Sequence, residues 1–207
     1  MKKTVYGVTL FLGLGLLMTS CFSSSSSNDL KKSLEDLKKD LNTVKYVETD
    51  IDSLDFSMVL PDYMVSTTTL DADRPLQYMN AVKEQYIVAS YELVSDVEPS
   101  LKALKKYEGK TLLDQYVSYN KEVIEEGVKI SKQEPIKKMT IDGMPAQMLQ
   151  FDGMVEGISE GISYYTVFIQ SKDKLYFIMT WTLESRKDDF KEIADKMIKS
   201  FHLKKSA

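Results

Sequence analysis

The sequence is poor in the residues that most catalytic and metal sites require. Its 207 residues include one cysteine and one histidine. An internal disulfide needs two cysteines, so the fold must be held together by its core. A catalytic triad or a histidine-rich metal site would depend on His202 alone, and a lone histidine at the end of the last predicted helix is typical of a surface residue.

Basic charge is also scarce. The chain has 27 Lys and Arg residues against 31 Asp and Glu residues, a formal net charge of −4. Nucleic-acid binding relies on a basic surface that meets the phosphates, so this balance argues against a nucleic-acid partner. It likewise gives no reason to expect that the domain is attracted to anionic lipid by its charge.

Loops that could bind a phosphate or a cation lack the patterns that such sites need. Gly153, Gly157 and Gly161 are spaced by four residues between two predicted strands, which indicates a flexible loop rather than a phosphate-binding one. The aspartates in residues 50–55 and 71–73 lack the glycine and the distal glutamate of a calcium loop. We therefore predict no cofactor, no metal and no catalytic residue.

The first twenty residues have the pattern of a secretion signal. Lys2 and Lys3 precede an apolar run over residues 5–18. A helix needs about 20 apolar residues to cross a bilayer, so this run is too short for a permanent span. A basic start followed by a short apolar run predicts a signal peptide over residues 1–20.

The signal ends in a pattern that carries chemistry. Residues 17–21, Leu-Met-Thr-Ser-Cys, resemble the lipobox of bacterial lipoproteins, with Met18 where leucine is commoner. The resemblance implies that Cys21 is the first mature residue, that it is lipidated and that its acyl chains attach the protein to a membrane. The alternative is an ordinary secretory signal with an accidental cysteine. Cys21 is the only cysteine and lies where a lipobox requires it, which favours lipidation.

The residue after Cys21 bears on location. An aspartate there would resemble the inner-membrane retention signal of some Gram-negative bacteria, but Phe22 stands in its place. We expect a protein of the cell envelope, lipid-anchored to the outer membrane of a Gram-negative bacterium.

Residues 21–43 are predicted to separate the lipid from a folded domain over residues 44–207. The serines of residues 23–27 are typical of a flexible tether. Leu30, Leu34, Leu37 and Leu41 form one narrow apolar stripe on a charged helix. That helix could pair with another one, but two heptads are too few for a coiled coil, and a helix that extends the tether is favoured.

The remaining pattern predicts an α+β domain. Residues 174–183 carry apolar side chains on both faces, as expected for a central strand. Asp142 and Gly143 are a strong tight-turn pair. Thr111 and Ser185, each with an aspartate three residues later, indicate helix starts. The predicted strands are 56–60, 63–69, 76–82, 85–94, 130–141, 144–151, 163–170 and 174–183, and the predicted helices are 98–107, 111–127 and 185–201.

This layout resembles the PsbP-like fold, which is shared with Ran-binding Mog-type proteins and bacterial DcrB-like lipoproteins. The residues that carry the resemblance are 55–61, Asp-Phe-Ser-Met-Val-Leu-Pro, the turn 141–146, the strands in 164–183 and the ending 197–203, Met-Ile-Lys-Ser-Phe-His-Leu. It implies a curved antiparallel sheet with flanking helices, an α/β/α sandwich, and a non-enzymatic binding or assembly role. It implies no shared ligand.

Three functions remain open at this stage. The first is a non-enzymatic, lipid-anchored envelope protein that binds or assembles a protein partner. The second is a protein that binds a small apolar ligand between sheet and helix, and the third is a hydrolase that uses carboxylates. The 12 tyrosines are consistent with an amphipathic binding face or with packing at the edge of the core, and the face opposite the helices is the expected place for a binding surface.

Overall fold

The computed structural model describes Lys32, residues 43–49, Ile51 and residues 53–204. The predicted signal, Cys21 and nearly all of the predicted tether lie outside the described residues. The helices are α1 Val94–Ala103, α2 Leu112–Gly127 and α3 Lys187–Lys199. The strands are β1 Tyr46–Glu48, β2 Phe56–Ser57, β3 Val59–Pro61, β4 Val65–Ser66, β5 Leu76–Asn80, β6 Gln85–Leu93, β7 Lys129–Gln133, β8 Lys137–Ile141, β9 Met144–Met154, β10 Ile162–Gln170, β11 Lys174–Leu183 and β12 His202–Leu203.

Among the described residues, eight strands form one antiparallel sheet. Its order is β4-β5-β6-β11-β10-β9-β7, and β8 pairs with the first half of β9 while β7 pairs with its second half. β11 lies between β6 and β10, which confirms the prediction of a central strand. Two short pairs, β1 with β3 and β12 with β2, lie outside this sheet.

The sheet has an apolar core on each face. One face packs against α3 through Phe190, Ala194 and Met197, together with the N-terminal strands. The other face packs against α1 and α2, where Leu101 and Tyr116 are buried. Helices therefore cover both faces, and the predicted α+β fold, an antiparallel sheet in an α/β/α sandwich, is confirmed.

Two of the predicted local signals are confirmed and one is wrong. Asp142 and Gly143 both have positive φ, 49° and 76°, as a tight β8–β9 hairpin requires. The Thr111 hydroxyl accepts the Asp114 backbone N–H at 3.2 Å and caps α2. Ser185 does not cap α3, because it lies in a 3-10 turn, Glu184–Arg186, and α3 starts after Arg186 without a side-chain cap.

Several boundaries differ from the predictions. α1 starts directly after β6, one turn earlier than residue 98, so that Pro99 lies inside the helix. The Val94 N–H donates to the Asp173 carbonyl at 2.8 Å, and this hydrogen bond fixes the first turn of α1 beside the β10–β11 turn. The strand predicted over residues 130–141 is split into β7 and β8 around Pro135, which has no N–H to donate. The strand predicted over 63–69 is reduced to Val65–Ser66.

Candidate functional site

The most apolar cavity described lies between α2 and the sheet, and we call it the α2 groove. Its volume is about 480 Å³. The groove is lined by Leu70, Asp71, Arg74, Val88, Asn120, Val123, Ile124, Val155, Ile158, Ile162, Tyr164, Phe177, Met179 and Trp181. These residues come from α2, from the loop between β9 and β10, from the segment before β5 and from the sheet strands β6, β10 and β11.

The groove exists because α1 and α2 cover only part of the sheet face. Along β11, Leu175 and Phe177 are buried, and the Arg74 guanidinium lies over the Phe177 ring. Met179 and Trp181 follow on the same face and remain partly exposed. On the opposite wall, Val123 of α2 is 47% exposed although it borders an apolar surface. The apolar face of the sheet thus continues beyond the helices that cover it.

A row of aromatic side chains crosses the sheet, and two of them, Tyr164 and Trp181, line the groove. Phe151, Tyr164, Trp181 and Tyr86 stand opposite one another on β9, β10, β11 and β6. Their ring centroids are 4.8 Å apart for the first pair, 6.3 Å for the second and 5.4 Å for the third. Cross-strand aromatic pairs of this kind stabilise the sheet beneath the groove.

Tyr164 supplies a polar group within this apolar floor. Burial alone raises the pKa of Tyr164 to about 12. Its hydroxyl makes no hydrogen bond to any residue that the structure describes, although the side chain is only 7% exposed. A neutral hydroxyl in this position can donate one hydrogen bond to a bound molecule.

The only cation among the described residues lining the groove is already engaged. The Arg74 guanidinium lies 4.2 Å from the centre of the Phe177 ring and hydrogen-bonds the Ser90 hydroxyl. Its Nε lies 3.4 Å from Asp71 Oδ2. Both residues of this ion pair belong to the lining of the groove, and Arg74 partly neutralises the acidic turn over residues 71–73.

A second, more polar groove runs along α3 on the other sheet face. Two cavities, of about 180 and 550 Å³, share Gln150, Tyr165, Asp188 and Lys191. The first also contains Asp152, which is 6% exposed. Both Asp152 oxygens are engaged, one by the Ser163 hydroxyl and the other by Lys187 Nζ at 2.8 Å. This carboxylate joins β9 and β10 to the start of α3.

The ion pair of Asp152 predicts a pH dependence of stability. Burial by itself would raise the pKa of Asp152, but the hydrogen bonds from Lys187 and Ser163 outweigh it and hold the pKa below its usual range. A carboxyl group with a lowered pKa stabilises the fold above its unfolded-state pKa of about 4 and loses this contribution as pH falls through its folded-state value.

Asp152→Asn should therefore lower the free energy of unfolding at pH 7 by about 1–3 kcal/mol. The difference in the free energy of unfolding between this variant and the wild type should shrink as pH falls below about 4, because Asp152 of the wild type then becomes protonated. Denaturant unfolding of both chains between pH 7 and pH 2 measures this, with Asp62→Asn, at an exposed aspartate, as the matched control. A deficit of constant size across that range would contradict the assignment.

A serine, a histidine and a glutamate meet where the terminal strands converge, a grouping that the sequence does not predict. Ser57 Oγ lies 2.8 Å from His202 Nε2 and donates to Glu48 at 2.7 Å. In a catalytic triad the acid binds Nδ1 and the serine faces Nε2. Here Nδ1 lies 3.1 Å from the Ser200 carbonyl, and Glu48 contacts the same Nε2 as the serine.

Glu48 therefore does not occupy the position of a triad acid, and the Ser57 hydroxyl donates its proton to Glu48 rather than to the imidazole. The serine is 3% exposed and lines neither the α2 groove nor the α3 groove. The three side chains instead join β1, β2 and β12. The His202 side chain is 46% exposed, as expected for a residue at the end of a helix.

The predicted acidic loops contain no metal-binding cluster within the described part of the chain. No group of three or more His, Cys, Asp or Glu side chains there could hold an ion. Asp55 binds Lys174 and the Tyr176 hydroxyl instead. Gly153 corrects the prediction of a glycine loop, since it lies in β9, where a Cβ would come within 2.5 Å of Val128 Cγ1.

No described helix is both long enough and apolar enough to pass through a bilayer. No protein-family model and no curated protein sequence matches the chain.

The arrangement of a sheet between α1–α2 and α3 is that of two solved structures. Cyanobacterial PsbP from Synechocystis sp. PCC 6803 superimposes with a TM-score of 0.51 at 11% identity, over 79% of this chain and 95% of that one. The Ran-binding protein Mog1p of Saccharomyces cerevisiae has a TM-score of 0.51 at 13% identity, over 78% of this chain and 96% of that one. The predicted PsbP-like, Mog-type fold is therefore confirmed. Identities this low establish the fold alone.

Proposed function

We propose that the protein is a lipid-anchored component of the bacterial cell envelope that binds a protein partner and catalyses no reaction. The observation that carries the proposal is the α2 groove, an apolar surface of the sheet that α1 and α2 leave uncovered. Exposed apolar surface with a polar rim is typical of an interaction site. The lipobox at Cys21 supports the anchor, and Phe22 supports the outer membrane.

The chemistry of the other groups supports a binding role. The buried carboxylate Asp152 is neutralised by Lys187, and Asp55 is held by Lys174. A carboxylate hydrolase would need two carboxyl groups that converge on one cavity with different pKa values. In the α2 groove, the one carboxylate in the lining is Asp71, and it faces Arg74. The α3 groove has several carboxylates in its lining, and three of them are held in ion pairs with lysines: Glu134 with Lys132, Asp152 with Lys187 and Asp195 with Lys199.

A groove-blocking substitution tests the proposal. Val123→Arg places a long cationic side chain on the groove wall, whereas Val82→Arg makes the same change at a site that is 87% exposed in the β5–β6 turn. We expect affinity capture of the full lipidated protein from its native membrane to retain a stoichiometric partner with the wild type and with Val82→Arg. Val123→Arg should reduce recovery about tenfold, which corresponds to about 1.4 kcal/mol of binding free energy.

Equal recovery of the partner by both variants would contradict the assignment of the binding surface. Melting temperatures of the purified variants should agree within a few degrees, because both positions are exposed. If Val123→Arg melts far below Val82→Arg, the loss of the partner would reflect unfolding of the domain and not a blocked groove. In that case Ile158→Arg, at another lining residue that is 42% exposed, replaces Val123→Arg in the test.

A small apolar ligand is the second candidate function. The groove volume lies within the range of small-molecule sites, about 300–1,000 Å³, and the Tyr164 hydroxyl could orient a bound molecule. This alternative predicts that an uncharged lipid such as a monoacylglycerol raises the melting temperature of the wild type and of Val82→Arg but not that of Val123→Arg. A protein partner predicts no such rise.

A further inference from the structure

The strands beneath the α2 groove limit what can bind there. β6, β11 and β10 each pair with a neighbour on both sides. Their backbone N–H and C=O groups are therefore used within the sheet, and a partner segment lying on this face cannot add itself as a strand. Burying unpaired backbone groups is costly, so a segment that binds here must satisfy its own hydrogen bonds. An α-helix does so.

The width of the exposed floor also suits a helix. Neighbouring strands lie about 4.8 Å apart, so the outer two of three adjacent strands are about 10 Å apart. An α-helix with its side chains is about 10 Å across. α1 and α2 already pack on this face through Leu101, Tyr116 and Val117. A helix in the groove would continue the same layer.

The two loops that supply lining residues to the groove carry acidic side chains. Asp71 lines one wall and Asp73 follows it, while Glu156 and Glu160 lie in the loop that supplies Val155 and Ile158 to the other wall. Arg74 is the single cation among the lining residues of the described chain, and Asp71 neutralises it. An anionic lipid or a fatty acid would meet repulsion here, and a basic segment would meet attraction.

From these features we infer that the α2 groove binds an amphipathic α-helix of the partner protein, with apolar side chains toward the sheet and lysines or arginines along both flanks. The inference rests on the proposed function, since it names the part of the partner that the groove receives. Apolar anchors spaced at i, i+3, i+4 and i+7 would contact Met179, Trp181 and Val123.

Binding in the α2 groove can be measured by the fluorescence of the protein itself. Trp181 is the single tryptophan of the chain and lines the groove, so its fluorescence responds to a molecule bound there. The probes are three synthetic peptides of about 18 residues, which as helices are about 27 Å long. The first has leucines at the anchor spacing and lysines on the flanks, the second has glutamates in place of the lysines, and the third has the composition of the first in scrambled order.

We expect titration of the full chain to give a Kd for the lysine peptide at least tenfold lower than for the glutamate or the scrambled peptide. The advantage over the glutamate peptide should fall as ionic strength rises, because the charges of the two loops are screened. Val123→Arg should abolish the fluorescence change and Val82→Arg should leave it intact. The double variant Asp73→Asn, Glu156→Gln should reduce the preference for lysine several-fold.

Equal binding of the lysine and glutamate peptides would overturn the inference, as would equal binding of the scrambled peptide or a response to monoacylglycerol alone. These outcomes differ from failure of the proposed function. If the captured partner is lost with Val123→Arg while the peptides bind equally, only the inference fails. If Val123→Arg does not change the recovery of the partner in affinity capture, the groove is not the binding surface.

Discussion

Cys21→Ser is expected to abolish acylation and to move the protein from the membrane fraction to the soluble fraction. The physical reason is that a single acyl chain holds a protein only marginally and two or three hold it stably, whereas an acidic domain gains nothing from anionic lipid. The net charge of −4 includes Lys2 and Lys3 of the predicted signal, so the mature chain is still more acidic. Metabolic labelling with a clickable fatty acid and fractionation of the cells measure both effects.

Two controls separate loss of the lipid from failure of processing. Ser24→Ala, in the serine run, should remain labelled and membrane-bound. A chain whose residues 1–21 are replaced by a cleavable secretory signal without cysteine should be exported, unlabelled and soluble, even if Cys21→Ser itself is retained through an uncut signal. Membrane attachment of that exported chain would contradict the lipid anchor.

Phe168→Ala is expected to destabilise the domain by about 3–5 kcal/mol, the range for truncating a buried phenylalanine. Phe168 is 0% exposed and its ring meets those of Tyr116 and Phe177 edge-on, with centroids 5.7 and 5.6 Å away. The substitution would leave a cavity between α2 and the sheet. Single domains have about 5–15 kcal/mol in total, so we expect the melting temperature to fall by about 10 °C or more.

Tyr119→Ala is the matched control, because Tyr119 is an aromatic residue on the outer surface of α2 and is 43% exposed. It should change the free energy of unfolding by less than about 1 kcal/mol. Denaturant unfolding of the two variants gives the comparison. Similar losses for both would mean that α2 does not pack on the sheet through Phe168.

The correct sequence predictions are those that depend on neighbours within a few residues. Asp142 and Gly143 form a tight turn because both accept positive φ, and Thr111 caps α2 because its hydroxyl reaches the backbone N–H three residues on. Residues 174–183 are apolar on both faces, which only an interior strand can bury. These properties depend on short stretches of sequence, and the structure shows each of them.

The wrong predictions concern residues whose partners lie far along the chain. Ser185 has the pattern of a cap, but its N–H is held at 3.3 Å by Glu160 Oε1, 25 residues away, in a 3-10 turn. α1 begins early because Val94 bonds to the β10–β11 turn. The sequence analysis also expected a sheet face opposite the helices, but both faces of the sheet carry helices.

The sequence by itself determined the α+β class and the prediction that Cys21 is lipidated, since each depends on composition or on short spacings. It also showed that one histidine and one cysteine are too few for a site built from several such residues. Only the tertiary structure decided where the apolar face of the sheet is left open. Val88, Tyr164 and Trp181 are far apart in sequence and become one floor only when β6, β10 and β11 pair in register. Whether that floor is core or groove depends on how far α2 extends over it, which no local pattern records.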